Sequence, residues 1–229
     1  MQIQYRALTK HEGGRGTLLG GVPGVLPGRV MIIGGGTAGV NAAKMATGIG
    51  AETTILEVSR ERMNWLDTAM PHARTLYSSE VALYEHLPRT DLLIGAVLVP
   101  GAKAPKLVNR EMLRSMNKGT VVVDIAVDQG GCFETTRAKT HDNPTYVEEG
   151  GTHYCVANMP GAYARTSTQA LASVTLPYLQ SLATEGIRGA CERLPEMASG
   201  INCRDGELTC REVGEAQGLS WSEISIDAL

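Results

Sequence analysis

Residues 29–57 constrain this chain more than any other stretch. An apolar run, Val30-Met-Ile-Ile33, leads into Gly34-x-Gly36-x-x-Gly39, then a helix-compatible segment over 37–48, then Thr53-Thr-Ile-Leu56 ending on Glu57. A short, wholly apolar run bounded by glycine reads as a parallel strand buried on both faces. Gly34 permits a tight turn, Gly36 lets backbone approach a pyrophosphate, and Gly39 lets helix and strand pack closely. The helix start offers unpaired N–H groups and a positive dipole end to phosphates. A carboxylate about twenty residues on can accept both hydroxyls of an adenine ribose, favouring NAD over NADP. Strand, glycines, helix, strand and acid in this order predict dinucleotide binding. The helix is expected to bury Ala38, Ala42, Met45 and Ala46.

The pattern continues in alternation. Helices are expected over 60–68, 79–86 (capped by Ser78 or Ser79) and 111–116, and strands over 74–77, 92–97, 120–127 and 153–157. The expected architecture is α/β, a doubly wound, six-stranded Rossmann sheet ordered 3-2-1-4-5-6, with extra C-terminal helices. Ligand then lies across the carboxyl ends of the strands, bringing the glycine loop, Val97, Leu98, Asp128 and Asn158 around one crevice. Residues 1–28 read as a short helix (Ile3, Ala7 and Leu8 on one face) and a Gly/Pro-rich lead-in. Its Leu18, Leu19, Val22, Val25 and Leu26 are expected to pack on the nucleotide domain, residues 29–165. In 166–229, Thr166-Ser-Thr-Gln169 reads as a capping box for a helix reaching about Thr184 and bent at Pro177. Shorter helices are expected over 187–194 and 207–217, the last stopped by Gly218. These helices are too few for a core of their own.

Composition excludes several classes. The 229 residues carry a formal charge of -3 with both signs interspersed, so neither nucleic acid nor a membrane surface is expected as partner. No secretory leader is expected, which points to the cytoplasm. The five cysteines include no Cys-x-x-Cys pair, so zinc and disulfides are not expected, and Cys155 reads as a small buried hydrophobe.

Longer motifs add a resemblance. Gly20-Gly-Val-Pro-Gly-Val25, Ile94-Gly-Ala-Val-Leu-Val-Pro-Gly-Ala-Lys-Ala-Pro-Lys-Leu107, Asp124-Ile-Ala-Val-Asp-Gln-Gly-Gly-Cys-Phe-Glu134, Thr140-His-Asp-Asn-Pro-Thr-Tyr146 and Tyr154-Cys-Val-Ala-Asn-Met-Pro160 resemble the L-alanine dehydrogenase family, whose architecture transhydrogenases share. The resemblance implies NAD-dependent, reversible oxidative deamination of L-alanine to pyruvate and ammonia, by a homo-oligomer. It places the adenosine against Thr37, Ala38, Glu57, Arg62, Ser78 and Leu98, and the nicotinamide near Ile125, Asp128, Val156, Asn158 and Met159. Asp128 matches the family's active-site aspartate, and Glu57 replaces its usual Asp at the ribose.

Family members also begin with a substrate domain that carries the catalytic histidine and the cations for the substrate carboxylate. This chain is expected to be a short form lacking most of that domain. His141 is then the candidate substitute acid/base, against an ordinary loop histidine bonded to Asp142 or backbone. Lys103 and Arg165 are candidate carboxylate-binding cations, against solvated loop residues. Slow turnover is expected from an open nicotinamide face. The alternatives are a catalytically silent NAD(H)-binding and assembly module, and a related reductase with another 2-oxo acid.

Overall fold

A computed structural model of the chain describes residues 6–99 and 103–223. Ile3 and the loop residues Pro100, Gly101 and Ala102 lie outside the described residues. The chain divides into two compact units. The first holds the residues up to Leu98 with Ala104–Ala157, and the second holds Val99, Lys103 and the residues from Asn158 onward.

The first unit follows the alternation of the sequence: β1 (Arg29–Ile33), α1 (Thr37–Gly48), β2 (Glu52–Glu57), α2 (Arg60–Ala69), β3 (Ala73–Tyr77), α3 (Glu80–His86), β4 (Leu92–Gly95), α4 (Arg110–Arg114), β5 (Val121–Asp124), β6 (Thr145–Glu148) and β7 (Gly151–Tyr154). The strand order is β3-β2-β1-β4-β5-β7-β6. All pairs are parallel except β6 with β7. Ser59, Ser79 and Asn109 cap α2, α3 and α4 by accepting the backbone N–H three residues on, which satisfies donors a helix start leaves orphaned.

The doubly wound expectation holds, with seven strands in place of six. The added strand, β6, is half polar and half-exposed, so no continuous apolar run marks it. It turns into β7 through Glu149 (φ 48°) and Gly150 (φ 79°), the positive-φ pair of a type I′ hairpin. Glu149 tolerates that backbone while its carboxylate takes two bonds from Arg114, at 2.7 and 3.0 Å, and one from Arg110 at 2.7 Å. β4 and β5 end at Gly95 and Asp124, earlier than 97 and 127.

The core lies on both sheet faces. On one, Met31, Ile33, Leu56, Leu93 and Val122 pack with Leu83, Leu87, Met112, Leu113 and Phe133 from the helices and loops. α1 buries Gly39, Val40, Ala42, Ala43 and Ala46. The expected face is off by part of a turn: Ala38 and Met45 are exposed, because the glycine turn sets the helix so that Gly39 faces β1. The lead-in is anchored at particular points. Arg15 donates to Asp91 at 2.6 Å and Leu19 is buried, but Leu18, Val22, Val25 and Leu26 are exposed.

In the second unit, α5 (Ala164–Arg193) has Tyr163 as its N-cap residue, so the expected capping box, residues 166–169, lies inside the helix. It passes through Pro177 and breaks at Gly186, whose φ of 68° only glycine adopts readily. A two-stranded ribbon, β8 (Cys203–Arg204) and β9 (Glu207–Leu208), precedes α6 (Arg211–Gln217). The helix expected from 207 therefore starts at Arg211, and Gly218 stops it in the left-handed region.

Candidate dinucleotide site

The site grows from the carboxyl ends of β1 and β2. Gly34 donates to the Leu56 carbonyl at 2.8 Å and has φ 101°; a Cβ there would lie 2.7 Å from the Ala96 oxygen. A Cβ on Gly39 would overlap the Gly34 carbonyl oxygen. Both glycines are therefore required by the fold itself. Gly36 is different. Its φ is −69°, and a Cβ there would meet nothing within 4 Å. Neither conformation nor packing asks for glycine, so the open space above it is room for a ligand at the start of α1. That observation fits the pyrophosphate of a dinucleotide.

Glu57, at the end of β2, folds back over this turn. One carboxylate oxygen accepts the Gly35 N–H at 2.9 Å; the other accepts Val58 and Ser59 N–H at 2.8 and 3.0 Å. Burial pushes the carboxyl up, but these three donors and the nearby Arg62 outweigh it and hold it below the usual range. Glu57 is thus an ionised acceptor whose oxygen on the Gly35 side keeps a lone pair for a ribose hydroxyl. Arg62, on α2, donates to the Gly35 carbonyl at 2.7 Å and stacks 4.1 Å over Trp65. Ser78 joins the group through its N–H to the Glu57 carbonyl, 2.9 Å. Thr37 and Ala38 are exposed on the first turn of α1.

The other edge residues follow their strands. Val97 and Leu98 continue β4, half-buried and exposed. Ile125 donates to Gly95 at 2.8 Å and is half-buried. Asp128 is exposed in a 3-10 turn, Val127–Gln129. Val156 is fully buried beside β7 and bridges to Lys139. That bridge brings the His141 turn, closed by pairing of Thr140 with Asn143, to the carboxyl end of β7; His141 is exposed. Asn158 and Met159 open the second unit, Asn158 in the left-handed region at φ 52°. Lys103 and Arg165, also of the second unit, are exposed.

One residue of consequence was hidden in the sequence as a break in the apolar run Val121–Val123. Asp124 is fully buried at the end of β5. Its carboxylate accepts Ala126 N–H at 3.0 Å, Cys132 N–H at 2.8 Å and the Thr136 hydroxyl, closing the loop that carries Asp128. Burial raises its carboxyl, and these donors offset only part of that. Lys106 adds bonds to the Gly130 and Phe133 carbonyls. Cys132, in the same loop, is no nucleophile: burial pushes its thiol up to about 12.

Comparison with known proteins identifies the family. The family described as "Alanine dehydrogenase/PNT, C-terminal domain" matches residues 1–211. The chain is 53% identical to an alanine dehydrogenase of Halomonas elongata over 98% of its length and 61% of that protein. It is 51% identical to one of Geobacillus stearothermophilus, over 98% and 60%. An L-alanine dehydrogenase structure superimposes with a TM-score of 0.84 at 46% identity, covering 95% of this chain and 60% of that one. The chain thus spans about 60% of the length of the curated relatives it matches. By sequence and fold, it belongs to the alanine dehydrogenase/PNT C-terminal domain family.

Proposed function

We propose that this chain is the NAD-binding part of an L-alanine dehydrogenase, working in the reversible conversion of L-alanine to pyruvate and ammonia. The open space at Gly36, beside an ionised Glu57, is the observation that carries the reading. NAD, when bound, supplies the hydride chemistry. Glu57, Arg62, Ser78, Thr37, Ala38, Val97 and Leu98 hold the adenosine side. Gly34, Gly36 and Gly39 shape the pyrophosphate turn, and Ile125, Val156, Asn158 and Met159 serve the nicotinamide side.

Amination of pyruvate consumes ammonium, a hydride and a proton and releases water. Asp128 is assigned to the reacting centre, on the loop that Asp124 holds. His141 is the group that holds the proton for the carbonyl oxygen. A homo-oligomer is proposed from the large apolar side chains exposed along α5, among them Leu171, Val174 and Leu179; sedimentation as monomer at micromolar concentration would count against it. Free cysteines fit a reducing cytoplasm.

The test is the rate of NADH oxidation with pyruvate and ammonium, beside Asp128→Ala. Ammonium-dependent turnover that vanishes in the variant is expected. NADH binding without turnover would instead assign the chain as a cofactor-binding module.

A further inference from the structure

At the amino ends of the strands, the sheet edge opposite the glycine turn, lies a concavity of about 90 Å³. Register places Arg29 beside Glu52, and Thr54 beside Arg74. Alternation along each strand points all four side chains to one face. His86 and Arg89, at the end of α3 and in the turn after it, line the same space.

The charges do not balance. Glu52 is the one carboxylate of the lining, shared by Arg29 at 3.2 Å and Arg74 at 3.3 Å, both longer than a tight charge-assisted bond. Among the described residues, no ion pair or side-chain hydrogen bond engages Arg89 or the His86 ring. Three guanidiniums against one carboxylate leave two positive charges in one hollow, on a chain whose net charge is -3. Basic groups at a helix end complement its carbonyls, which accounts in part for His86 and Arg89. It does not account for Arg29 and Arg74, which stand at the amino ends of β1 and β3. Planar guanidinium forks lining a small hollow match a tetrahedral oxyanion, and the volume admits a single such group.

We propose that this hollow binds a phosphate group, as the free ion or as the end of a phosphomonoester, with Arg74 and Arg89 as the principal contacts. Glu52 holds Arg29 and Arg74 in place and limits the site to one anion. The site is separate from the glycine turn.

The test is calorimetric titration of the unaltered chain with inorganic phosphate, repeated with glycerol phosphate. Saturable binding is expected, weakened about tenfold or more by Arg74→Ala and by Arg89→Ala, and unchanged by Arg62→Ala at the glycine turn. Equal binding of both ligands assigns the site to a phosphomonoester, and exclusion of glycerol phosphate assigns it to the free ion. In the unaltered chain, phosphate should also shift the His86 ring resonances. Absence of saturable binding, or binding sensitive only to Arg62→Ala, overturns the proposal.

Discussion

Arg62 and Gly35 are joined across the glycine turn: the guanidinium Nε donates to the Gly35 carbonyl at 2.7 Å, while the Gly35 N–H donates to Glu57 at 2.9 Å. A trans peptide points its carbonyl and its N–H in opposite directions. Fixing the Gly35 carbonyl therefore aims the Gly36 N–H away from Arg62. Bonds within the chain thus hold the turn, which reduces the ordering cost of binding.

Arg62→Ala should weaken NADH binding by about tenfold, the scale of one hydrogen bond from a charged group. Fluorescence titration would show it. The loss should extend to ADP and, because Arg62 is assigned to the adenosine side, to adenosine.

Glu57 gives a pH prediction. Its folded-state carboxyl is held below the reference value of 4.5, so what it adds to stability is complete above that value. That contribution is lost as pH falls below 4.5 through the lower, folded value. NADH affinity through this residue should be flat from pH 8 to 5. Glu57→Gln should weaken NADH and narrow the preference over NADPH by roughly tenfold, because it removes a charge that repels a 2′-phosphate.

His153 acts in a higher pH window. The ring is fully buried, its Nδ1 lies 3.1 Å from the Gly151 carbonyl, and its Nε2 lies 2.8 Å from the Thr135 hydroxyl. A carbonyl only accepts, so Nδ1 carries the proton and Nε2 accepts from Thr135. Burial pushes the pKa below the usual 6.5. The unfolded chain then binds the extra proton first, so stability is full above 6.5 and declines as pH falls below it. Urea unfolding at pH 8 and pH 5.5 should show the decline, and His153→Phe should flatten it.

The sequence displayed the first βαβ unit and Glu57 because their signals are local: apolar runs, glycine spacing and one acid at a strand end. What it concealed depends on distant partners. β6 pairs at the sheet edge, where its left-handed Glu149 is held by Arg110 and Arg114 some thirty-five residues earlier. Asp124 looked like an interruption of a strand, since its bonds to Cys132 and Thr136 exist only once the loop has closed. The break in α5 was legible: the sequence ends one helix near Thr184 and starts another at 187, and Gly186 between them leaves helical geometry.

Asp124→Ala should destabilise the chain by about 3 kcal/mol or more, leaving buried donors at Ala126 and Cys132 without an acceptor. Asp124→Asn should cost less, because it avoids burying a charge while keeping one acceptor. Both should lower any turnover through the displaced Asp128 loop more than they lower NADH affinity. Chemical denaturation and steady-state kinetics separate the two effects.

The most direct test of the dinucleotide site is an NADH titration of the unaltered chain and of Gly36→Ala, with Gly39→Ala as the contrasting case. A Cβ at Gly36 meets open space, whereas one at Gly39 overlaps the Gly34 carbonyl. Gly36→Ala should therefore unfold like the parent yet bind NADH about tenfold or more weakly, and Gly39→Ala should lose stability itself. Unchanged NADH affinity in a folded Gly36→Ala chain, or no NADH binding by the parent, would contradict the account.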